Sequence, residues 1–297
     1  MIFLLLIVSI RAEPIERISA PSLRDFMGYA MQSKPVIITN YSAPFENMTR
    51  EHILNKCGHL TVAIKKFNKN IDTWANLETV RTVNMKDFMN SKENTSEVGI
   101  FDYPLPRQCP EMLENWTVPK YFVQDFFQRV KKKGFHYKNA WPSLFFGLPD
   151  SFGGLHRDSG GTAFWQYVIE GKKDWRVLNT MQGITLNFFG DKPRIWEGVV
   201  EPGEFIYIPG NCPHQVKNIG ETLAMSGNII SKDSLETMKA EVRLRRKRDF
   251  YPPYEMLHDT IMQPGFDTSF SYDVEDSTWQ EFKLGVTPLQ YGIYMPK

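Results

Sequence analysis

The chain has little that would anchor it to a membrane or attract it to nucleic acid. Its N-terminal apolar run, residues 1–10, is too short to cross a bilayer, which excludes a transmembrane span there. The 35 Lys and Arg residues nearly balance the 34 Asp and Glu residues, so the net charge of +1 predicts no strong attraction to nucleic acid or to an acidic membrane surface. Residues 295–297 carry no KDEL-type signal, so no receptor-read address supports retention in the endoplasmic reticulum.

Cysteine is scarce as well, and the three that are present leave at least one thiol unpaired. In an oxidising compartment we expect a bridge between Cys57 and Cys109. The alternative is that all three cysteines are small buried thiols.

Two features favour an oxidising compartment. Residues 1–12 have the short apolar core of a secretory signal peptide, with Ala12 as a small residue before the cut; the alternative is a buried N-terminal strand. The chain also contains four N-x-S/T sequons, at Asn40, Asn47, Asn94 and Asn115. We therefore expect the secretory pathway, either the lumen of the endoplasmic reticulum or outside the cell. Without a signal peptide, the expectation becomes the nucleus or the cytoplasm.

What the chain does have is enough apolar and aromatic material for an enzyme-sized core. Hydrophobic residues make up 42% of its 297 residues, with 21 Phe, 12 Tyr and 7 Trp. This length predicts one large domain or a domain with extensions. The aromatic content also suits a lined pocket.

A candidate metal site lies at His156 and Asp158. On an extended segment these two side chains leave the same face, because residues two apart point the same way. With His214 as a third ligand from a distant strand, they predict a 2-His-1-carboxylate triad. That ligand set favours non-haem Fe(II) and leaves metal positions open for an organic cosubstrate and O₂. An H-x-D alone is a weak signal, since some of the 34 acidic residues fall near one of the six histidines by chance.

The sequence between these ligands is typical of short antiparallel strands. The breaks at Glu170-Gly171, at residues 191–193 and at Pro202-Gly203 are turn signals. Such a pattern predicts a sandwich or barrel whose mouth can hold a ligand. The predicted strands are residues 163–169, 175–178, 184–189 and 204–208.

These motifs resemble a known family. The run H-R-D-S-G-G-T-A-F-W-Q-Y-V-I-E-G-K-K-D-W and the later P-G-E-F-I-Y-I-P-G-N-C-P-H are similar to the metal-binding core of the JmjC (cupin-like) 2-oxoglutarate oxygenases, closest to their lysyl-hydroxylase branch. The similarity extends over residues 21–230. It implies a mainly β fold with flanking helices, the double-stranded β-helix or jelly roll. It also implies a JmjC core over residues 136–232, with residues 13–135 packing on it and a C-terminal helix and tail over residues 233–297.

The resemblance further implies which residues bind 2-oxoglutarate. Lys173, the lysine of the G-x-K motif, would bind the far carboxylate; the alternative is a solvent-exposed lysine at a hairpin tip. Gln166 would contact the metal-bound end of the cosubstrate. One departure weakens the match, because Gly153 stands where relatives carry a threonine that donates to the far carboxylate. Ser151 or Tyr137 could replace that donor. The remaining implied contacts are Thr162, Trp165, Ser226 and Asn228.

Two further segments carry predictions. Residues 121–130 are aromatic and apolar at helical spacing, which predicts a core helix. A second helix is predicted from Ser231 or Asp233 through Arg248, and the family resemblance makes a homodimer through it an expectation. The basic run at residues 243–248 is either a solvated helix face, a dibasic processing site or a nucleic-acid patch, in that order of preference.

The function implied is an Fe(II)- and 2-oxoglutarate-dependent oxygenase acting on a protein substrate. It would hydroxylate a lysine or arginine side chain, or demethylate through hydroxylation of an N-methyl group. The alternative is a JmjC-like binding or scaffold protein of the secretory pathway without turnover.

Overall fold

The computed structural model describes residues 12–91, 97–179, 194–246 and 252–285. The predicted signal segment up to residue 11, the sequon at Asn94, the predicted strand at residues 184–189 and the end of the basic run lie outside these residues. The described part contains fourteen strands: β1 Glu13–Pro14, β2 Glu16–Ser19, β3 Val36–Thr39, β4 Thr61–Phe67, β5 Leu77–Asn84, β6 Val98–Pro104, β7 Thr117–Val118, β8 Ser143–Gly147, β9 Phe152–His156, β10 Ala163–Leu178, β11 Ile195–Val200, β12 Phe205–Ile208, β13 His214–Ile229 and β14 Ser277–Thr278.

Seven helices flank the strands within the same described residues. None of them is long and apolar enough to span a membrane. The helices are α1 Leu23–Ala30, α2 Arg50–Cys57, α3 Met85–Met89, α4 Leu105–Gln108, α5 Leu235–Arg246, α6 Pro252–His258 and α7 Trp279–Leu284.

Twelve strands form one sheet folded as a double-stranded β-helix, which is the predicted fold class. Its main path runs β2-β3-β12-β10-β13-β8-β6-β4-β5, while β1, β9 and β11 pair at its sides. The long strands β10 and β13 run antiparallel along their length and join the two layers. One half of β10 pairs with β12 and the other half with β11. Strands β10 and β13 therefore lie side by side along both halves of β10.

The predicted turn at Glu170-Gly171 is wrong, because this segment is a bulge inside the single strand β10. The register to β13 shifts between Val168 and Glu170 and again between Glu170 and Lys172. Gly171 adopts φ 72°, and a Cβ there would overlap the backbone of β13. The bulge changes which side chains face inward, so residues 164 and 166 before it share the interior with residues 173 and 175 after it.

The predicted helix over residues 121–130 is also wrong, although the segment is buried. Only Phe126–Arg129 is helical, as one turn of 3₁₀ helix. The backbone N–H of Phe126 donates to Ile230 O at 2.7 Å, and Ile230 N donates to the Asp125 carboxylate at 3.2 Å. The segment thus bonds to the end of β13 in place of its own preceding turn.

Two other predictions are confirmed. Cys57 and Cys109 form a disulfide with a Cα–Cα distance of 5.9 Å. Helix α5 lies in the predicted C-terminal position, and its apolar residues Leu235, Met238 and Val242 pack into the chain's own core beside α6.

Candidate metal and cosubstrate site

Strands β9 and β13 bring the three proposed ligands together. His156, the last residue of β9, is paired directly with His214, the first residue of β13. Asp158 follows two residues after His156, at the start of a 3₁₀ turn. The ligand atoms of all three side chains lie within 4.8 Å of one another. The described part of the chain therefore contains one compact cluster with the predicted ligand set.

Backbone carbonyls fix the orientation of both imidazole rings. His156 Nδ1 lies 2.7 Å from Gly154 O, and His214 Nδ1 lies 3.0 Å from Cys212 O. A carbonyl only accepts, so each Nδ1 carries a proton, and in a neutral ring this leaves the Nε2 lone pair for a metal. Those Nε2 atoms face Asp158, at 3.7 Å from Oδ1 and 3.9 Å from Oδ2.

The donor set fits a divalent cation. Asp158 Oδ2 is buried and has no hydrogen-bond partner among the described residues. Burial, and then the neighbouring His214, lower the pKa of His156 to about 4, so its ring is neutral at pH 7 and able to ligate. Two imidazoles that turn Nε2 toward a buried carboxylate oxygen without a hydrogen-bond partner leave a cation as the missing partner.

A cavity beside the triad matches the predicted cosubstrate pocket. Its wall includes His156, His214, Gln166 and Lys173. Lys173 is 2% exposed, which excludes the hairpin-tip alternative. Desolvation by burial lowers the pKa of this lysine to about 7.

Unpartnered polar atoms in the same wall fit a polar ligand. Trp175 Nε1 and Gln166 Oε1 are buried and have no hydrogen-bond partner among the described residues. The indole N–H and the buried ammonium are donors that the oxygens of a keto-dicarboxylate would satisfy, whereas the Gln166 oxygen needs a donor that such a ligand does not carry. The cavity is only about 20 Å³, roughly the space of one water molecule.

The outer wall of the cavity is formed by the segment from Trp74 to Leu77, which leads into β5 and which the sequence analysis did not identify. The Trp74 ring meets the His156 ring edge-on at 4.9 Å and is 38% exposed. Ala75 and Asn76 both adopt φ 52°, in the left-handed region. Gly153 and Gly154 face this segment, and the Ala75 methyl lies 3.5 Å from where a Cβ of residue 153 would be. The threonine that relatives carry at the position of Gly153 would therefore border the segment from Trp74 to Leu77.

None of the other four predicted contacts, Thr162, Trp165, Ser226 and Asn228, lines this cavity. Ser226 is buried on β13 directly opposite Gln166, and Asn228 donates to the Thr162 hydroxyl at 2.9 Å. The structure does not bring Trp165 to the cavity. Its indole stacks on Phe122 at 4.9 Å on the other face of β10, because neighbouring residues of a strand point to opposite faces.

Neither replacement suggested for the missing threonine lines the cavity. The Ser151 hydroxyl is buried and bonded to Leu148 O and to the Asn218 amide. The Tyr137 hydroxyl lies 3.2 Å from the Ser159 hydroxyl. Asn218, which the sequence reasoning missed, does line the cavity and accepts a hydrogen bond from Lys173 at 2.7 Å. No sequence signal pointed to it, because only the antiparallel register of β10 and β13 in the fold pairs residues 173 and 218.

Comparison with known proteins agrees with this geometry. A family model described as "JmjC domain, hydroxylase" matches residues 190–229, a segment that includes His214. The chain is 22% identical to the lysine-specific demethylase JMJ21 of Arabidopsis thaliana over 90% of this chain and 30% of that protein. It is 24% identical to the Drosophila melanogaster 2-oxoglutarate and iron-dependent oxygenase JMJD4 homolog, over 71% of this chain and 51% of that protein.

The chain is similar to the JmjC family. A third relative, the bifunctional arginine demethylase and lysyl-hydroxylase psr-1 of Caenorhabditis briggsae, is 23% identical over 68% of this chain and 57% of that protein. The chain spans about a third to a half of the length of the first curated relatives it matches. The matched family segment carries only one of the three ligands. The pairing of β9 with β13 adds the other two.

Proposed function

We propose that the chain is an Fe(II)- and 2-oxoglutarate-dependent oxygenase that hydroxylates a lysine or arginine side chain of a protein. Demethylation would be the same hydroxylation directed at an N-methyl group. The observation that supports the proposal most is the meeting of two oriented imidazoles and one unpartnered carboxylate within 4.8 Å. Iron bound there would supply the O₂ chemistry, coupled to decarboxylation of 2-oxoglutarate.

The chain's own residues would hold and shield the reacting groups. His156, Asp158 and His214 would ligate the metal. Lys173, which lines the same cavity as the two histidines, would bind the far carboxylate of the cosubstrate. Phe164 and Trp175 flank the His214 ring at 5.6 and 5.8 Å, which keeps water from that side of the ligand.

The substrate class is proposed from the relatives. Their printed names describe lysine- and arginine-specific demethylases and a lysyl-hydroxylase. Because hydroxylation and demethylation share the same iron chemistry, the metal site is compatible with both. A mass-spectrometric search for +16 Da modifications that disappear when the gene is deleted would identify the substrate.

The activity itself is tested with purified protein, Fe(II) and 2-oxoglutarate. We expect one Fe(II) per chain and formation of succinate, with both lost in His214→Ala and Asp158→Ala. His59→Ala is the matched control, because His59 is exposed and lies outside the cluster. Unchanged succinate formation in both ligand variants would refute the ligand assignment.

We also propose that the chain resides in the secretory pathway. The Cys57–Cys109 disulfide is typical of oxidising compartments, and the sequon residues Asn40, Asn47 and Asn115 are exposed. The expressed protein should shift to lower mass on treatment with an N-glycosidase, and the shift should shrink in Asn47→Gln and Asn115→Gln. A nuclear product of unmodified mass would refute this location.

A further inference from the structure

Lys173 is held in place by one side chain on the neighbouring strand. It pairs directly with Asn218 across β10 and β13, and its Nζ donates to Asn218 Oδ1 at 2.7 Å. Both residues are buried, at 2% and 3% exposure, and both line the cavity beside the triad. The lysine therefore enters the cavity from a fixed direction.

A chain of hydrogen bonds fixes which way the Asn218 amide points. The Ser151 hydroxyl donates to Leu148 O at 2.6 Å, so it can only accept from Asn218 Nδ2, which lies 2.8 Å away. The amide nitrogen therefore faces Ser151 and the amide oxygen faces Lys173. The backbone of residue 218 is also bound, because its N–H donates to Ser151 O at 3.0 Å.

The surrounding backbone leaves room for this amide. Gly147 lies beside it on β8, and a Cβ at that position would overlap Asn218 Nδ2 and lie 2.7 Å from Ser151 Oγ. Gly147 thus leaves the space that the Asn218 amide occupies, and Ser151 provides the hydroxyl that accepts from it.

We infer that Asn218 positions Lys173 to bind the far carboxylate of the cosubstrate. It would take over the role of the threonine that relatives carry at the position of Gly153. The inference rests on the proposed function. An amide oxygen is a neutral acceptor, so it orients the ammonium group without cancelling its charge. An ammonium has three N–H donors, and one of them is used by Asn218. The other two remain for the oxygens of an anionic ligand.

The test separates the two ends of the ligand. Binding is measured by calorimetry on the full chain loaded with Mn(II), using 2-oxoglutarate and 2-oxopentanoate, which has the same chelating end but no far carboxylate. We expect the wild-type protein to prefer the dicarboxylate. Asn218→Asp should weaken 2-oxoglutarate binding by about tenfold or more, because its carboxylate neutralises Lys173. Binding of 2-oxopentanoate should change by less than about twofold, since the chelating end is untouched.

A matched control and a second variant keep the result clear. Thr222→Val lies on the same strand and removes a buried hydroxyl with no hydrogen-bond partner among the described residues, so both affinities should stay near wild type. If Asn218→Asp does not fold, Ser151→Ala frees the amide to rotate and should reduce the preference for the dicarboxylate in the same direction.

Two negative outcomes have different meanings. A wild-type protein with no preference for 2-oxoglutarate over 2-oxopentanoate would contradict the proposed function itself. A wild-type preference that survives unchanged in Asn218→Asp, or in Ser151→Ala, would overturn the role of Asn218 alone. Equal losses for both ligands would show a general structural effect and would also overturn it.

Discussion

At Lys173, burial and charge act against each other. Desolvation lowers its pKa to about 7, whereas a bound carboxylate stabilises the charged form and raises the pKa again. Binding of 2-oxoglutarate above pH 7 should therefore take up a proton, and affinity should fall as the pH rises further. Calorimetry at pH 8 in buffers of different ionisation enthalpy measures that uptake directly.

Lys173→Met should remove both the proton uptake and the pH dependence. Lys172→Met is its control, because Lys172 is exposed and bonds Glu201 at 3.0 Å on the outer face.

The lowered pKa of Lys173 also makes the stability of the fold depend on pH, and this dependence has the opposite sign to that of ligand affinity. The unfolded chain binds more protons between pH 7 and the ordinary lysine pKa of 10.5, so this residue's cost to stability falls as the pH rises through that window. If the affinity of Lys173→Met for 2-oxoglutarate changes with pH as it does in the wild-type protein, the assignment of Lys173 is contradicted.

At this scale the sequence identified the residues with distinctive chemistry. The H-x-D spacing indicated that His156 and Asp158 point the same way, although Asp158 lies just beyond the end of β9, and the family motifs indicated His214 and Lys173. Asn218 and Trp74 could not be found in that way. Their roles depend on strands that are distant in the sequence, and neither residue type indicates a site by itself.

The element that most directly supports the metal site is β9, which the segment around Trp74 covers. A Cβ at residue 154 would lie 2.7 Å from both Asn76 Oδ1 and Phe67 Cε2. Gly154→Ala should therefore displace that segment and lower the free energy of unfolding by about 1–3 kcal/mol. Because the carbonyl of residue 154 holds the His156 ring, metal affinity should fall as well.

Chemical denaturation and metal titration check this prediction together. Gly203→Ala is a milder comparison, because no heavy atom lies within 4 Å of its Cβ position, although its φ of 84° adds some strain. If Gly154→Ala binds metal as tightly as the wild-type protein, the close contact does not support the ligand.

Elements were predicted well where periodicity is regular and poorly where tertiary contacts decide. The strand predicted at residues 204–208 is confirmed as β12, Phe205–Ile208. The bulge in β10 escaped prediction, because Glu170-Gly171 has the composition of a turn and only the neighbouring strand shows that pairing continues. The helix predicted over residues 121–130 failed because its backbone bonds to the end of β13.

At the scale of the whole molecule, the N-terminal half supplies strands to the same sheet that holds the site. Strand β3 pairs with β12, and β6 pairs with β8, so the sheet is continuous from the early strands to the ligand-bearing ones. The length predicted one large domain or a domain with extensions, and the composition predicted enough apolar material for its core. They could not show this pairing, since strand order is set by contacts between distant segments.

The Cys57–Cys109 disulfide closes a separation of 52 residues and ties α2 to the end of α4. Replacing both cysteines with serine should lower the free energy of unfolding by about 2–5 kcal/mol. Cys212→Ser is the comparison, since Cys212 is buried outside the bridge. Denaturation with and without reductant measures the difference, and an unfolding midpoint unaffected by reductant would contradict a stabilising role.

The central claim is that three side chains from β9, the turn after it and β13 hold one iron beside a cosubstrate pocket. It is tested most directly by adding 2-oxoglutarate to the Fe(II)-loaded protein without oxygen and recording the visible charge-transfer absorption of a chelated keto acid. We predict that the band appears in the wild-type protein and in His59→Ala and is absent from folded His214→Ala and Asp158→Ala. A wild-type protein without the band, or ligand variants that retain it, would contradict the account.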